Sequence, residues 1–221
     1  MTKIFCIVGT DTEMGKTYAS CQLLRYLSRQ GLNVTALKPI ASGLSDSPQG
    51  LINDDVFKLA EASSETLTFE QRNAFAFKEP IAPHIAANRE GIDLTVQRVH
   101  CATQATIKSC RADVVLIEGV GGIMTPLNET ETYVDLLAVW QYPIVLIVGM
   151  KLGCLNHAML TVNALAKLNL VGWIANCLEP TMMAYQDNLA YLTANLPVPL
   201  LSVIPYQGTL QVTNAFNRVF L

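Results

Sequence analysis

The chain has 221 residues, a length that suits one well-buried domain. Its hydrophobic fraction of 51% and mean hydropathy of +0.31 predict a sheet covered by helices on both faces. The net charge of −3 gives no electrostatic case for a nucleic-acid partner, and no apolar run reaches the length needed to span a bilayer. We therefore expect a single α/β domain over residues 1–221, with neither nucleic acid nor a membrane as a partner.

The cysteine pattern and the N-terminal residues indicate in which cellular compartment the protein is expected. The six cysteines form no C-x-x-C pair and show no zinc spacing. Several lie in apolar segments, where a free cysteine behaves as a small hydrophobe. Residues 1–3 lead directly into a predicted strand and leave no room for a signal peptide. These features predict a cytoplasmic enzyme with reduced cysteines and no structural metal.

Predicted strands and helices alternate along the chain. Apolar runs predict strands at 3–8, 33–38, 113–118, 143–149, 170–176 and 200–204. Helical periodicity predicts helices near 15–30, 54–62, 83–89, 94–110, 132–141, 156–168 and 181–194. Residues 41–54, rich in Ser, Gly, Pro and Asp, are predicted to form a loop. This alternation predicts a largely parallel sheet with right-handed crossovers, whose ligands bind beyond the carboxyl ends of the strands.

A glycine-rich segment follows the first predicted strand. Residues 9–17 read Gly-Thr-Asp-Thr-Glu-Met-Gly-Lys-Thr and precede the first predicted helix. This is the arrangement of a P-loop, whose backbone N–H groups surround a phosphate. Lys16 can reach the terminal phosphates, and the Thr17 hydroxyl can ligate Mg²⁺. Thr10 stands where the standard motif has its first glycine, which favours a variant loop over ordinary NTPase subfamilies. The alternative is a turn whose glycines merely relieve backbone strain.

Charged, glycine or amide residues also end the other predicted strands. They are Lys38, Glu118, Gly149, Lys151, Gly153 and Asn176, and Pro205 and Tyr206 follow the last predicted strand. Because the carboxyl ends of parallel strands meet at one edge of a sheet, we expect these residues to converge there with the P-loop. The segment 119–122 after Glu118 is predicted to be a second glycine turn.

Two lysines and two carboxylates in this set suggest phosphoryl chemistry. Lys38 is expected near Lys16, as it would be if a polyphosphate or a developing oxyanion lay between them. Asp55, near a predicted helix start, and Glu118 offer the oxygen ligands that Mg²⁺ prefers. The alternatives are a solvated lysine capping a strand, an ordinary helix-capping acid and a strand-end acid that faces water.

Taken together, the motifs resemble those of the dethiobiotin synthetase family of biotin biosynthesis. They are G-T-D-T-E-x-G-K-T at 9–17, K-P-x-A-S-G at 38–43, P-H at 83–84, E-G-x-G-G at 118–122 and K-L-G-C-x-N-H at 151–157. The resemblance covers roughly residues 3–206 and is more specific than a P-loop alone. It implies an ATP- and Mg²⁺-dependent cyclo-ligase. The family carboxylates 7,8-diaminononanoate with CO₂ and closes the cyclic urea through a carbamic–phosphoric anhydride, releasing ADP and phosphate.

The resemblance also implies roles for individual residues. Lys16 and Lys38 are the implied catalytic residues, and Thr17, Asp55 and Glu118 the implied Mg²⁺ ligands. The implied nucleotide-binding residues are Glu13, Met14, Gly15, Lys16, Thr17, Tyr18, Asp55, Glu118, Gly119, Val120, Gly121, Asn176, Cys177, Pro205 and Tyr206. The implied substrate-binding residues are Thr12, Ser42, Gly121, Gly153, Cys154, Leu155 and Asn156.

The resemblance further implies a homodimer with composite active sites. In the family, the turn that matches residues 153–156 binds the substrate carboxylate of the partner's site. From the residues alone, backbone N–H groups of this turn could bind an anion, and helix capping explains Asn156 about as well.

One position departs from the family pattern. A carboxylate often follows the family's equivalent of Asn176, but this chain has Cys177 there. A thiol is a weak donor and acceptor, so we expect ATP to be preferred with only modest discrimination against other triphosphates. The alternative is that Cys177 points into the core and never meets the nucleotide.

Two other P-loop classes are the alternatives to this interpretation. Partition and cell-division ATPases carry a signature lysine early in the loop, where this chain has Asp11. Amidating ligases of cobalamin synthesis need a glutaminase domain, for which the chain has no room. The tail 212–221 has apolar residues at helical spacing but one Arg and no Lys, which predicts packing against the protein itself rather than a membrane.

Overall fold

The computed structural model describes residues 2–47 and 50–221. Within these residues the strands are β1 (Lys3–Gly9), β2 (Val34–Leu37), β3 (Ile40–Ser42), β4 (Ser45–Ser47), β5 (Gly50–Ile52), β6 (Phe75–Phe77), β7 (Val114–Gly122), β8 (Ile144–Met150), β9 (Leu170–Cys177), β10 (Leu200–Ile204) and β11 (Gln211–Val212). The helices are α1 (Lys16–Arg29), α2 (Asp54–Ala62), α3 (Phe69–Arg72), α4 (Pro83–Arg89), α5 (Val96–Ser109), α6 (Tyr133–Trp140), α7 (Cys154–Ala164), α8 (Tyr185–Asn195) and α9 (Asn214–Phe220).

The main sheet of the described residues has the strand order β11-β10-β9-β8-β1-β7-β2. All neighbouring pairs are parallel except β10 and β11. This confirms the predicted α/β fold with a largely parallel sheet. β1 lies between β7 and β8, while α1 carries the chain across β7 to β2. β7 and β2 thus lie on one side of β1, and β8 to β11 lie on the other. The carboxyl end of β1 is therefore a topological switch point, the place where ligands bind in sheets of this kind.

Apolar side chains fill the space on both faces of the sheet. Along β1, Cys6 and Val8 face a core that α4 to α8 cover, whereas Phe5 and Ile7 face a second core under α1, α2 and α9. The alternation follows from the two-residue period of a strand. Both faces are buried, which explains the uninterrupted apolar runs that mark these strands in the sequence.

The structure corrects the predicted second glycine turn. β7 continues through Gly122, and Gly9 of β1 pairs with Gly122 after an irregularity in register. Gly121 has a φ of +59°, a conformation that favours glycine and allows the strand to bend without ending.

Other boundaries also differ from the prediction, and α7 for example spans Cys154–Ala164 where a helix was predicted at 156–168. Residues 41–54 are not simply a loop, because they contribute to β3 and contain the antiparallel β4–β5 pair; residues 48 and 49 of the predicted loop lie outside the described residues. The helix predicted from 181 begins only at Tyr185, because Ala184 has a φ of +54° and interrupts any helix upstream.

The C-terminal segment packs against the protein, as its apolar spacing predicts. Phe216 and Phe220 of α9 are fully buried, and the Phe220 ring lies 4.6 Å from the Phe5 ring between centroids. β11 adds an antiparallel strand to the edge of the sheet. In the described part of the chain, none of the helices combines the length and apolarity required to cross a bilayer.

Candidate active site

The P-loop connects β1 to α1 and is supported from β9. Gly15, the N-cap of α1, has a φ of +74°. A Cβ atom at this position would lie 2.1 Å from Nδ2 of Asn176, so the site leaves room only for glycine. That nitrogen donates a hydrogen bond to the Met14 carbonyl at 3.0 Å. The end of β9 therefore fixes the backbone of the loop just before its lysine.

Lys16 is the first residue of α1 and is almost completely buried. Its Nζ donates to the carbonyls of Asp11 and Gly121, at 2.8 and 2.7 Å. Burial lowers the pKa of Lys16 to about 8, and the charge on Lys38 acts in the same direction while that on Glu118 opposes it. The ammonium is thus held by neutral carbonyls, in a position where an anionic ligand would stabilise its charge.

Lys38 follows β2 and bridges two carboxylates. Its Nζ contacts Asp55 in a short ion pair and lies 3.0 Å from Oε1 of Glu118. Burial disfavours the charge on Lys38, but the two carboxylates outweigh burial and raise its pKa. Burial would raise the pKa of Asp55, yet the contact with Lys38 lowers it. Lys38 is therefore a charged residue in a nearly dry environment.

Glu118 lies in β7 and receives two hydroxyl donors from α1. Thr17 Oγ1 donates to Oε1 at 2.6 Å, and Ser20 Oγ donates to Oε2 at 2.8 Å. The residue is only 1% exposed, so these contacts take the place of water.

Thr17, Asp55 and Glu118 form a set of oxygen donors that fits Mg²⁺. A hydroxyl and two carboxylates meet on one side of the P-loop: Thr17 donates to Glu118, and Lys38 contacts both Glu118 and Asp55. Mg²⁺ is commonly bound through one or two protein carboxylates together with substrate phosphates. The chemistry of this donor set is therefore compatible with a bound Mg²⁺.

A cavity of about 1060 Å³ opens in front of these groups. It brings together eleven of the predicted site residues. They are Thr12, Glu13, Gly15, Lys16, Thr17, Tyr18, Lys38, Ser42, Asp55, Val120 and Gly121. A volume of this order accommodates a nucleotide or comparable ligand.

The structure adds residues that sequence reasoning missed. Arg25 and Lys58 extend the cavity along α1 and α2, and Thr125 and residues 80–83 line its other side. Arg25 could have been found, because it follows Thr17 and Cys21 at four-residue spacing on one helical face. Thr125 carried no such signal: it follows β7 by three residues, and its hydroxyl would be 2.4 Å from a Cβ at Gly121.

Other predicted residues lie beside the cavity or apart from it. Among the described residues that line it, none comes from 153–156, 176–177 or 205–206. Glu118 accepts a hydrogen bond from the lining residue Thr17, while Met14 and Gly119 are chain neighbours of the lining residues Gly15 and Val120. Tyr18 donates from its hydroxyl to the Gly208 carbonyl, which brings the segment around Pro205 and Tyr206 close to the P-loop helix. Cys177 is half-buried next to Tyr185.

The segment 153–156 forms the start of α7, where Gly153 and Asn156 are exposed while Cys154 is buried in the core. Gly153 is the N-cap of this helix, with a φ of +92°, and Asn156 is exposed. The preceding Leu152 is 97% exposed. This turn therefore does not complete the cavity of its own chain.

Solved structures support the fold. The chain aligns with the cell division protein FtsY from Thermotoga maritima at a TM-score of 0.54 and 15% identity, covering 100% of this chain and 69% of that one. FtsY from Elizabethkingia anophelis in complex with GDP gives a TM-score of 0.55 at 14% identity, with 99% and 62% of the two chains covered. At this identity the likeness concerns the fold alone.

Sequence relatives are much closer. A family model described as an AAA domain matches residues 3–214. ATP-dependent dethiobiotin synthetase BioD from Pseudomonas aeruginosa strain UCBPP-PA14 is 42% identical, with 91% of this chain and 89% of the relative covered. BioD 1 of Escherichia coli K12 is 41% identical, covering 93% and 92%. BioD of Alteromonas mediterranea is 42% identical, covering 98% of each. With the P-loop and its paired lysines and carboxylates in place, the chain belongs to the BioD family of ATP-dependent dethiobiotin synthetases.

Proposed function

We propose that the protein carboxylates 7,8-diaminononanoate with CO₂ and closes the product to the cyclic urea dethiobiotin, at the cost of ATP. Residues 1–221 act as one ligase domain in this proposal. The observation that carries it is the meeting of Lys16 and Lys38 with Asp55 and Glu118 at one cavity. Two buried cations beside two carboxylates suit phosphoryl transfer between bound anions, in which positioning and charge neutralisation matter more than covalent catalysis.

The first step forms a carbamate on the substrate. The lone pair of one amine attacks the carbon of CO₂, and the amine loses a proton to give a carbamate anion. Lys38 is the residue suited to stabilise this anion, because its ammonium is buried, charged and held at the cavity wall. A fixed positive charge in a dry site favours an oxyanion far more than it would in water.

The second step transfers phosphate. A carbamate oxygen attacks the γ-phosphorus of ATP, the bond to the β-phosphate oxygen breaks, and ADP leaves. Lys16 would contact the β- and γ-phosphate oxygens once its ammonium turns from the carbonyls of Asp11 and Gly121. Backbone N–H groups of the P-loop add neutral donors at the start of α1.

The last step closes the ring. The second amine attacks the carbonyl carbon of the mixed anhydride, and the bond to the phosphate oxygen breaks. Inorganic phosphate leaves and the amine gives up a proton. No protein nucleophile is required, because the substrate carbamate itself attacks the phosphate.

Thr17, Asp55 and Glu118 would hold Mg²⁺, which neutralises phosphate charge when bound. Lys38 pairs with both carboxylates in this structure. The position of this ammonium between Asp55 and Glu118 supports the proposal that the two carboxylates stabilise a bound cation.

Contacts to the two substrates follow the cavity. For the diamine and its carbamate we propose Thr12, Ser42 and Gly121; the Ser42 hydroxyl is buried without a partner in the described residues, as expected for a group that awaits a ligand. For the nucleotide we propose the following residues: 13–18, Asp55, 118–121, Asn176, Cys177, Pro205 and Tyr206.

We further propose a homodimer with composite sites. Residues 153–156 do not line the cavity of their own chain, Gly153 and Asn156 are exposed, and so is the preceding Leu152. The backbone N–H groups of this turn at the start of α7 could bind the carboxylate of a diaminononanoate held in a partner's cavity.

The proposal is tested by incubating purified protein with ATP, Mg²⁺, bicarbonate and 7,8-diaminononanoate and detecting dethiobiotin by mass. We expect dethiobiotin and phosphate in equal amounts, and none without the diamine. Phosphate release that ignores the diamine and bicarbonate would instead indicate a nucleotide switch.

A further inference from the structure

Ser20 is a fully buried hydroxyl residue that the proposed mechanism does not use. It lies in α1, one turn after Lys16 and Thr17, and its exposed fraction is 0%. A serine inside a helix commonly bonds to its own backbone or faces solvent. Here the hydroxyl instead donates to Oε2 of Glu118 at 2.8 Å, across to β7.

The two oxygens of Glu118 have different partners. Oε1 accepts hydrogen bonds from Thr17 at 2.6 Å and from Lys38 at 3.0 Å, and both of these residues line the cavity. Oε2 accepts a hydrogen bond from Ser20, which does not line the cavity. Because Glu118 is 1% exposed, water does not contribute to the orientation of its carboxylate. The Ser20 contact thus leaves Oε1 as the oxygen turned toward Thr17 and Lys38.

We infer that Ser20 is a positioning residue for the metal site, which fixes the Glu118 carboxylate so that one oxygen is presented to Mg²⁺. This inference rests on the proposed metal role of Glu118. Thr17 and Lys38 would each take on new partners when metal and nucleotide bind, whereas Ser20 has no other proposed role and can keep its contact. A hydrogen bond behind a metal ligand typically changes metal affinity by tenfold or more.

The test compares the wild type with Ser20→Ala, which removes one buried oxygen and little volume. Mn²⁺ serves as a paramagnetic substitute for Mg²⁺, and its binding is measured by electron paramagnetic resonance in the presence of a non-hydrolysable ATP analogue. We expect Ser20→Ala to weaken Mn²⁺ binding about tenfold. In turnover assays, the Mg²⁺ concentration for half-maximal rate should rise by a similar factor, while kcat at saturating Mg²⁺ stays within about twofold.

Two controls separate the possible outcomes. Thr103→Ala removes a comparably buried helical hydroxyl that donates only to the Val99 carbonyl within α5, so it reports stability alone. Glu118→Gln tests the metal role itself. Weaker Mn²⁺ binding in both Glu118→Gln and Ser20→Ala, but not in Thr103→Ala, supports the inference. Weaker binding in Glu118→Gln with wild-type binding in Ser20→Ala overturns it and leaves the metal role intact. Unchanged binding in Glu118→Gln removes the metal role, and the inference with it.

Discussion

The side-chain amide of Asn176 donates to the backbone carbonyl of Met14 at 3.0 Å and occupies the space that a side chain at residue 15 would need. This pair joins the end of β9 to the P-loop, across 162 positions of sequence. The position of the phosphate-binding backbone therefore depends on a residue for which the sequence predicted nucleotide binding but no support of the loop backbone.

We expect Gly15→Ala to abolish nucleotide binding. A Cβ atom would clash with Asn176 and would also force alanine into a left-handed conformation. Gly31→Ala is the matched control, because its φ is +85° and nothing lies within 4 Å of the new atom. Calorimetric titration with ATP and thermal unfolding should show lost affinity only in Gly15→Ala, and about 1 kcal/mol of lost stability in Gly31→Ala. Equal effects in both variants would contradict the steric argument.

Lys16→Ala and Lys38→Ala should both lower turnover strongly but differ in nucleotide binding. Each removes a charge that stabilises the transition state by roughly 3 kcal/mol, which corresponds to about a hundredfold in kcat. Lys16 faces the phosphates, so its loss should also weaken ATP binding, whereas Lys38→Ala should retain most of it. Stopped-flow binding and steady-state kinetics measure the two effects, with exposed Lys167→Ala as the control. Near-wild-type turnover in Lys38→Ala would end its assignment as a catalytic residue.

A mixed dimer should regain activity if sites are shared. Lys16→Ala disrupts the P-loop of its own chain. Asn156→Trp disrupts the turn 153–156, which in this proposal binds the substrate carboxylate in the partner's cavity. Each homodimer should be inactive, while a heterodimer contains one site with both parts intact. After exchange of equal amounts, about a quarter of the wild-type activity is expected, since half of the dimers have one working site. Absence of any regain, with heterodimers confirmed by native mass spectrometry, would count against shared sites.

Position 177 should affect the choice of nucleotide. Cys177 is half-buried at the end of β9, next to Asn176. A missing neutral hydrogen bond corresponds to about 1 kcal/mol, or roughly fivefold in affinity. We expect turnover with GTP and CTP to remain appreciable in the wild type and to fall relative to ATP in Cys177→Asp. Strict ATP specificity in the wild type would refute this prediction, and unchanged selectivity in Cys177→Asp would remove the residue from the nucleotide site.

The C-terminal helix should contribute substantially to stability. Phe220→Ala leaves a cavity against Phe5 and Phe216, and truncation of a buried phenylalanine costs about 3–5 kcal/mol. Asn217→Ala, exposed on the same helix, should change the free energy of unfolding by less than about 0.5 kcal/mol. Urea denaturation measures both, and similar midpoints for the two variants would show that α9 contributes little.

The sequence by itself determined the parallel sheet, the P-loop and the family. Strands buried on both faces must be apolar throughout, and a phosphate site needs glycine, lysine and threonine at fixed spacing, so both features appear in a short stretch of residues. The apolar periodicity of 212–221 likewise predicted a segment that packs against the protein.

Only the tertiary structure decided which groups touch. The link from Lys38 to both carboxylates, the Ser20 contact with Glu118 and the Asn176 contact with Met14 join residues separated by 17 to 162 positions. No local pattern encodes such pairs, because the register between neighbouring strands and the packing of helices determine them. For the same reason the continuation of β7 through Gly122 was missed: glycine favours a turn locally, while pairing with Gly9 of β1 keeps the strand extended.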